Sequence, residues 1–137
     1  MTDDLISSLK ISAAGMRAQG MRLRVISQNI ANANSLATEP GMEPYRRKNI
    51  IFENILNKEL GVQLVRVKRL GEDKSEFGER LDPSHPAANE AGYVQTPNVN
   101  TLVEVMDMRE AQRSYEANLT AIRSARSMMQ RTIELLR

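Results

Sequence analysis

The stretch TLVEVMDMREAQRSYEANLTAIRSARSMMQRTIELLR, Thr101 to Arg137, decides the fold. It holds neither proline nor glycine. A strict 4-3 repeat of positions runs through Val105, Met108, Gln112, Tyr115, Leu119, Ile122, Arg126, Met129, Ile133 and Leu136, and eight of these ten are apolar. That spacing is the a/d seam of a coiled coil, narrower than the apolar face of an ordinary globular helix. At ~1.5 Å per residue such a helix would run roughly 50 Å, against a width of roughly 30 Å for a domain of this size. A seam that long needs a partner helix, in the chain or on another molecule. Gln112 and Arg126 break the seam and are candidates for polar contacts that set register.

The residues before this stretch say where it starts. Pro97-Asn98-Val99-Asn100 is extended and turn-like. Thr101 with Glu104 three residues later reads as a capping box, so the helix is expected to begin at Thr101. Glu104, Asp107 and Glu110 near its start and Arg126, Arg131 and Arg137 towards its end complement the helix dipole.

A second helix is expected from about Asp3 to Ala33. Thr2 suits an N-cap, and Asp3 and Asp4 fall in the first turn. Its 4-3 walk passes Leu9, Ser12, Met16, Gln19, Leu23, Ile26, Ile30 and Ala33. Small or polar residues fill half of the early positions. Gly15 and Gly20 each cost about 1 kcal/mol against Ala. Alone this helix is marginal, but its small residues would let another helix come close. The segment Asn29-Ile30-Ala31-Asn32-Ala33-Asn34-Ser35 reads as a helix stop, because Asn amides compete for backbone groups.

Between the helices the period changes. Leu36 to Pro44 is a loop broken by Pro40, Gly41 and Pro44. Asn49–Phe52 is a short strand candidate, and Val62–Leu70, rich in Val, is the best strand in the chain. Gly71 to Gly78 reads as a charged turn, Leu81 to Pro86 as a loop, and Gly92–Val94 as a further short strand. The expected fold is therefore mainly α with a small β insertion, the long terminal helices packed as a coiled coil. Residues 1–35 and 98–137 would form a discontinuous helical domain, and 36–97 a loop and small β middle domain.

Composition excludes several function classes. The 137 residues contain three Tyr, two Phe and no Trp, but eight Met, which suits helix packing better than a large aromatic core. Net charge is +2, and no basic run carries interleaved aromatics, so nothing points to nucleic acid. With no Cys, disulfides and thiolate metal sites are excluded. The single His85 stands in a proline-bounded loop. No catalytic, cofactor-binding or metal-ligating constellation is present, so no enzyme and no cofactor is expected. No run reaches the ~18 apolar residues of a membrane span. The acidic start MTDDLISSLKISAAG lacks the charge and apolar run of a cleavable signal peptide.

Two groups of residues then resemble a known family. Near the N-terminus stand Ser12-Ala13-Ala14-Gly15-Met16, Ala18-Gln19, Met21-Arg22-Leu23, Ser27-Gln28-Asn29-Ile30-Ala31-Asn32-Ala33-Asn34-Ser35 and Pro44-Tyr45-Arg46-Arg47-Lys48. Near the C-terminus stand Gly92-Tyr93-Val94, Pro97-Asn98-Val99-Asn100, Glu104, Met108, Ala111, Arg113, Tyr115-Glu116-Ala117-Asn118 and Met128. Both resemble the axial rod and hook proteins of the bacterial flagellar basal body, in the right order and over the whole chain. Where many axial relatives have a compact Asn-Thr-x-Gly-Tyr turn, this chain has Asn34-Ser35-Leu36-Ala37-Thr38 and a longer proline-rich loop, which resembles the proximal rod branch.

The resemblance implies a structural subunit of the proximal rod. It would be exported by the flagellar type III apparatus without a cleaved signal and placed in the periplasmic basal body. The terminal helices would stack helically as an inner layer of a drive shaft that transmits torque and surrounds the export channel. Partners would be copies of itself, the other proximal rod proteins, the distal rod protein and the adaptor at the MS ring and export gate. The motif residues carried over are Asn29, Asn32, Asn34, Pro97, Asn98, Asn100, Tyr115, Glu116 and Asn118. Phe52-x-x-x-Leu56 loosely resembles the export-gate element of early rod and hook substrates, although Phe and Leu at that spacing suit a small core equally well. On periodicity alone, a second reading is a soluble coiled-coil adaptor that forms a small closed oligomer with a helical partner.

Overall fold

A computed structural model describes residues 2–135. The side chain of Thr2, the expected helix cap, and the seam residue Leu136 lie outside the described residues. The elements run α1 (Thr2–Ala31), β1 (Lys48–Asn57), β2 (Val62–Glu72), β3 (Gly78–Leu81), β4 (Tyr93–Thr96) and α2 (Thr101–Leu135). The fold is mainly helical, with a small antiparallel strand region between two long helices. The chain divides into two compact units. One comprises Met1–Leu23, Ile51–Arg69 and Arg109–Arg137, the other Arg24–Ile50 and Leu70–Met108.

In the first unit, α1 and α2 run antiparallel. A Cβ built on Gly15 would lie 2.8 Å from Asn118 Oδ1, so any larger residue there would make the Asn118 amide swing aside. Gly20 faces the Tyr115 ring, and Arg22 donates to Glu110 at 3.2 Å. The buried residues here are small: Ser12, Ala14 and Ala18 from α1, Ala111 and Ala125 from α2. The helix-breaking glycine at 15 thus has a packing reason, which offsets its low propensity.

Asn57 and Gly61 make the turn between β1 and β2. Asn57 Oδ1 accepts from the backbone N–H of Glu59 and Leu60, and Gly61 N–H donates to the Asn57 carbonyl at 2.9 Å. Gly61 has φ +64°, a conformation that side chains disfavour.

In the second unit, β3 and β4 pair antiparallel, with Gly78 opposite Thr96, Glu79 opposite Gln95, Arg80 opposite Val94 and Leu81 opposite Tyr93. The apolar core is Val25, Ile26, Ala37 and Val94, closed by the buried Pro44 and Pro97.

Three expectations are corrected. β3 occupies residues that read as turn and loop; all four of its residues are exposed, so it carries no alternation and exists through its pairing with β4. β1 runs to Asn57, well past Phe52. The α2 cap is also one residue earlier than expected. Asn100 Oδ1 accepts from the N–H groups of Leu102 and Val103 at 3.1 and 3.3 Å, and Glu104 is engaged elsewhere, so the capping box does not form. The expected helix stop does fall at the Asn run: α1 ends at Ala31, and Asn32 Nδ2 donates to the Gln28 carbonyl at 2.8 Å.

Candidate functional site

A hydrogen-bonded polar assembly lies in the second unit and is centred on Asn29. Its amide uses all four of its hydrogen-bonding positions. Oδ1 accepts from the Lys48 N–H at 2.9 Å and from the Tyr45 hydroxyl at 2.9 Å. Nδ2 donates to the Lys48 carbonyl at 2.8 Å and to Glu104 Oε2 at 3.1 Å. The side chain thereby satisfies both backbone groups of the first β1 residue, as a neighbouring strand would. Asn29 is 1 % exposed, so any group left unpaired there would cost about 1–3 kcal/mol.

Glu104, in the first turn of α2, is fully buried. Its other oxygen accepts from Arg47 Nε at 2.5 Å. Arg47 extends the assembly further. Its guanidinium lies 3.5 Å from Asp73 and 3.8 Å from Asp107, and its backbone N–H donates to Asn98 Oδ1 at 2.7 Å. Asn98 Nδ2 in turn donates to the Asp73 carbonyl and the Ser75 hydroxyl, each at 3.0 Å. Arg46 donates to the carbonyls of Asp73 and Ser75 and stacks 4.1 Å above the Phe77 ring. The knot therefore joins α1, the start of β1, the end of β2 and the start of α2.

The electrostatics follow from this geometry. Burial alone would lower the pKa of Arg47, but the hydrogen bond and charge of Glu104, with the charges of Asp73 and Asp107, leave it raised. The backbone N–H and hydroxyl of Ser75, then Arg47, hold the Asp73 carboxyl below its ordinary range. Burial, then Glu104 and Glu72, pushes the Tyr45 phenol up. Among the described residues no group of three or more His, Cys, Asp or Glu could hold a metal ion. His85 Nδ1 accepts from the Ala87 N–H, a local loop bond. The polar groups of the knot are spent on one another and on backbone.

The sequence-selected residues fall in several places. Asn29 and Asn98 are knot members, Asn100 caps α2, Asn32 closes α1, Pro97 is buried and Asn34 is exposed. Tyr115 and Asn118 lie half-buried against the two α1 glycines, and Glu116 is exposed. Met16, Tyr115 and Ile122 meet in an open apolar groove of about 480 Å³, with Ala13, Gly20 and, at its edge, Arg17. Leu23, Ile30, Val105, Met108, Leu119 and Met129 are half-buried, Ile26 is buried, and Gln112, Arg126 and Ile133 are exposed. The buried positions of α2 are Glu104, Ala111 and Ala125, one residue before seam positions 105, 112 and 126. Phe52 is half-buried in β1, and Leu56 is 60 % exposed. Sequence reasoning missed Arg47, Glu104 and Asp73 as one cluster; an isolated Arg or Glu carries no signal of the charges that folding brings to it.

Comparison with known proteins places this architecture. Residues 90–135 match the family described as flagellar basal body rod FlgEFG protein C-terminal. Nearly the whole chain aligns with individual relatives. It is 48% identical over 135 residues to the flagellar basal-body rod protein FlgC of Agrobacterium fabrum, covering 98% of this chain and 97% of that protein. It is 39% identical to the protein of that name in Borreliella burgdorferi, covering 96% and 97%, and 38% identical to that of Bacillus subtilis, covering 93% and 95%. The chain belongs to the FlgC family of flagellar basal-body rod proteins. It is a structural subunit of the flagellar basal-body rod and not an enzyme.

Proposed function

We propose that this chain is a proximal-rod subunit that stacks helically through the faces of α1 and α2, building a drive shaft that carries torque and bounds the export channel. The near-full-length similarity to rod proteins carries the reading. The exposed apolar side chains of α2 support it: Leu102, Val103, Met106, Met128, Ile133 and Leu135 all face solvent in the single chain. Exposed apolar side chains of this kind on a subunit of an assembly suit contact with neighbours. In this reading the seam residues from Met16 to Ile30 on α1 and Val105 to Ile133 on α2 form a coiled-coil inner layer. The segment 36–97 forms an outer element. The rod lies in the periplasm and is reached through the flagellar type III apparatus. The neighbours are the other proximal rod proteins, the distal rod protein and the adaptor at the MS ring.

Ile122→Asp tests the seam. It should leave expression intact and abolish both motility and incorporation into basal bodies. Normal incorporation would refute assembly through this face. In the same assay Phe52→Ala should lower secretion if Phe52 and Leu56 form the export element, and unchanged secretion removes that role.

A further inference from the structure

The second unit carries a cleft that the helix-seam reading does not use. It has a volume of about 360 Å³ and lies beside β4 and the proline-rich loop. Met42, Glu43, Glu79, Tyr93 and Gln95 are among its lining residues. Its charged lining is two carboxylates and no base, in a chain of net charge +2. Glu43 is held on one side by Arg46 at 3.2 Å, yet its side chain stays 67% exposed. Tyr93 and Met42 are 42% and 55% exposed, offering a ring face and a soft apolar wall beside the acids. An extended segment with adjacent basic and apolar side chains fits such a lining. The carboxylates would receive the charge, the Tyr93 ring would add a cation–π contact, and Met42 would cover the stem.

The chain itself carries that segment. Arg66, Lys68 and Arg69 lie on the exposed part of β2, followed by Leu70, which is 52% exposed. Arg66 pairs with Glu53 at 2.6 Å, and Lys68 reaches the same carboxylate only at 3.9 Å. One carboxylate thus serves two bases.

We propose that the Glu43–Glu79–Tyr93 cleft of one subunit receives the Lys68-Arg69-Leu70 segment of a second copy. The inference rests on the self-assembly of rod subunits. It adds a heterologous contact between the strand elements of neighbouring copies, outside the helix faces. Because donor and acceptor surfaces differ, the contact propagates from copy to copy and does not close in pairs. Exposed charges attract modestly, so the contact would select and orient neighbours more than it would hold them.

The absence of cysteine allows a direct test. Cells carrying Glu79→Cys and Arg69→Cys in the same chain are treated with a short bismaleimide, and basal bodies are isolated. The expected result is a ladder of cross-linked dimers and higher species that neither single variant gives. Incorporated double variant without a ladder overturns the proposal. Should the double variant not be incorporated, Glu79→Lys is compared with Glu79→Lys combined with Arg69→Glu. Restored incorporation in the combination supports the contact, and equal loss in both overturns it. A missing ladder together with failed incorporation of Ile122→Asp would remove this contact and leave the rod reading standing.

Discussion

At the scale of the residue, Glu104 and Arg47 form the pair whose loss should weigh most directly on stability. Glu104 is a carboxylate with no solvent exposure, and Arg47 is its only cationic partner among the described residues. Removing one member of such a pair leaves the other charge buried. Arg47→Ala should therefore destabilise the folded chain by on the order of 3 kcal/mol, read from urea unfolding. Arg47→Lys should recover only part of that loss, because a point charge cannot reach Glu104, Asp73 and Asp107 together as the guanidinium does. A loss below ~0.5 kcal/mol for the alanine variant would mean the pair is solvated in solution.

Asp73 adds a pH dependence whose sign follows from its environment. Its pKa is lowered on folding, so its contribution is fully present above the ordinary carboxylate value of ~3.9. That contribution is lost as pH falls through the lowered folded value. Below about pH 4 the stability of the native chain should thus fall more steeply than that of Asp73→Asn. Parallel acid-unfolding curves would show that the Ser75 contacts do not favour the charged form.

At the scale of the element, the start of α2 separates two caps that look alike in sequence. Thr101 with Glu104 spells a capping box, yet Asn100 holds the N–H groups and Glu104 turns to the knot. Asn100→Ala should cost about 1 kcal/mol in thermal unfolding, and Thr101→Ala much less. The reverse order would restore the Thr101 cap. The choice is physical. Glu104 gains more from a guanidinium in a buried site than from a neutral backbone N–H, and Asn is as good a cap as Thr or better. β3 makes the same point, since its residues have no strand pattern of their own. Its place is set by the residues opposite, Tyr93 to Thr96.

At the scale of the molecule, the single chain leaves work for its neighbours. Gln112 and Arg126 sit in the apolar seam by sequence and are exposed in the structure. Their buried counterparts on α2 are Ala111 and Ala125. Small residues thus take the buried positions of α2 in the first unit, while Gln112 and Arg126 stay in solvent. Gln112→Leu and Arg126→Leu should therefore change the unfolding free energy of the isolated chain by no more than about 0.5 kcal/mol. The same variants should lower incorporation into basal bodies, scored by immunoblot. A large change in the isolated chain with normal incorporation would assign both residues to the monomer fold.

Much of this protein was legible from local chemistry. The long proline-free repeat dictated a helix from Thr101, the Asn run dictated the end of α1, and the Val-rich segment from Val62 dictated β2 as far as Leu70, though the strand itself runs on through Gly71 to Glu72. These are statements about propensity and period, which nearby residues carry. Gly15 was legible only as a weakness; its value appears when the Asn118 amide comes within 2.8 Å of where a Cβ would be. Likewise, Asn29, Tyr45, Arg47, Asn98 and Glu104 could be read as a family signature but not as one cluster. They are separated by up to 75 positions between Asn29 and Glu104. A hydrogen bond or ion pair at that distance along the chain leaves no periodic trace, since its energy depends on burial and on partners that only the folded backbone brings together. The sequence alone determined two helices and a strand region that must find partners. Tertiary structure decided which side chains spend their charge inside the subunit and which apolar ones stay exposed on α2, because burial and partners depend on the folded backbone.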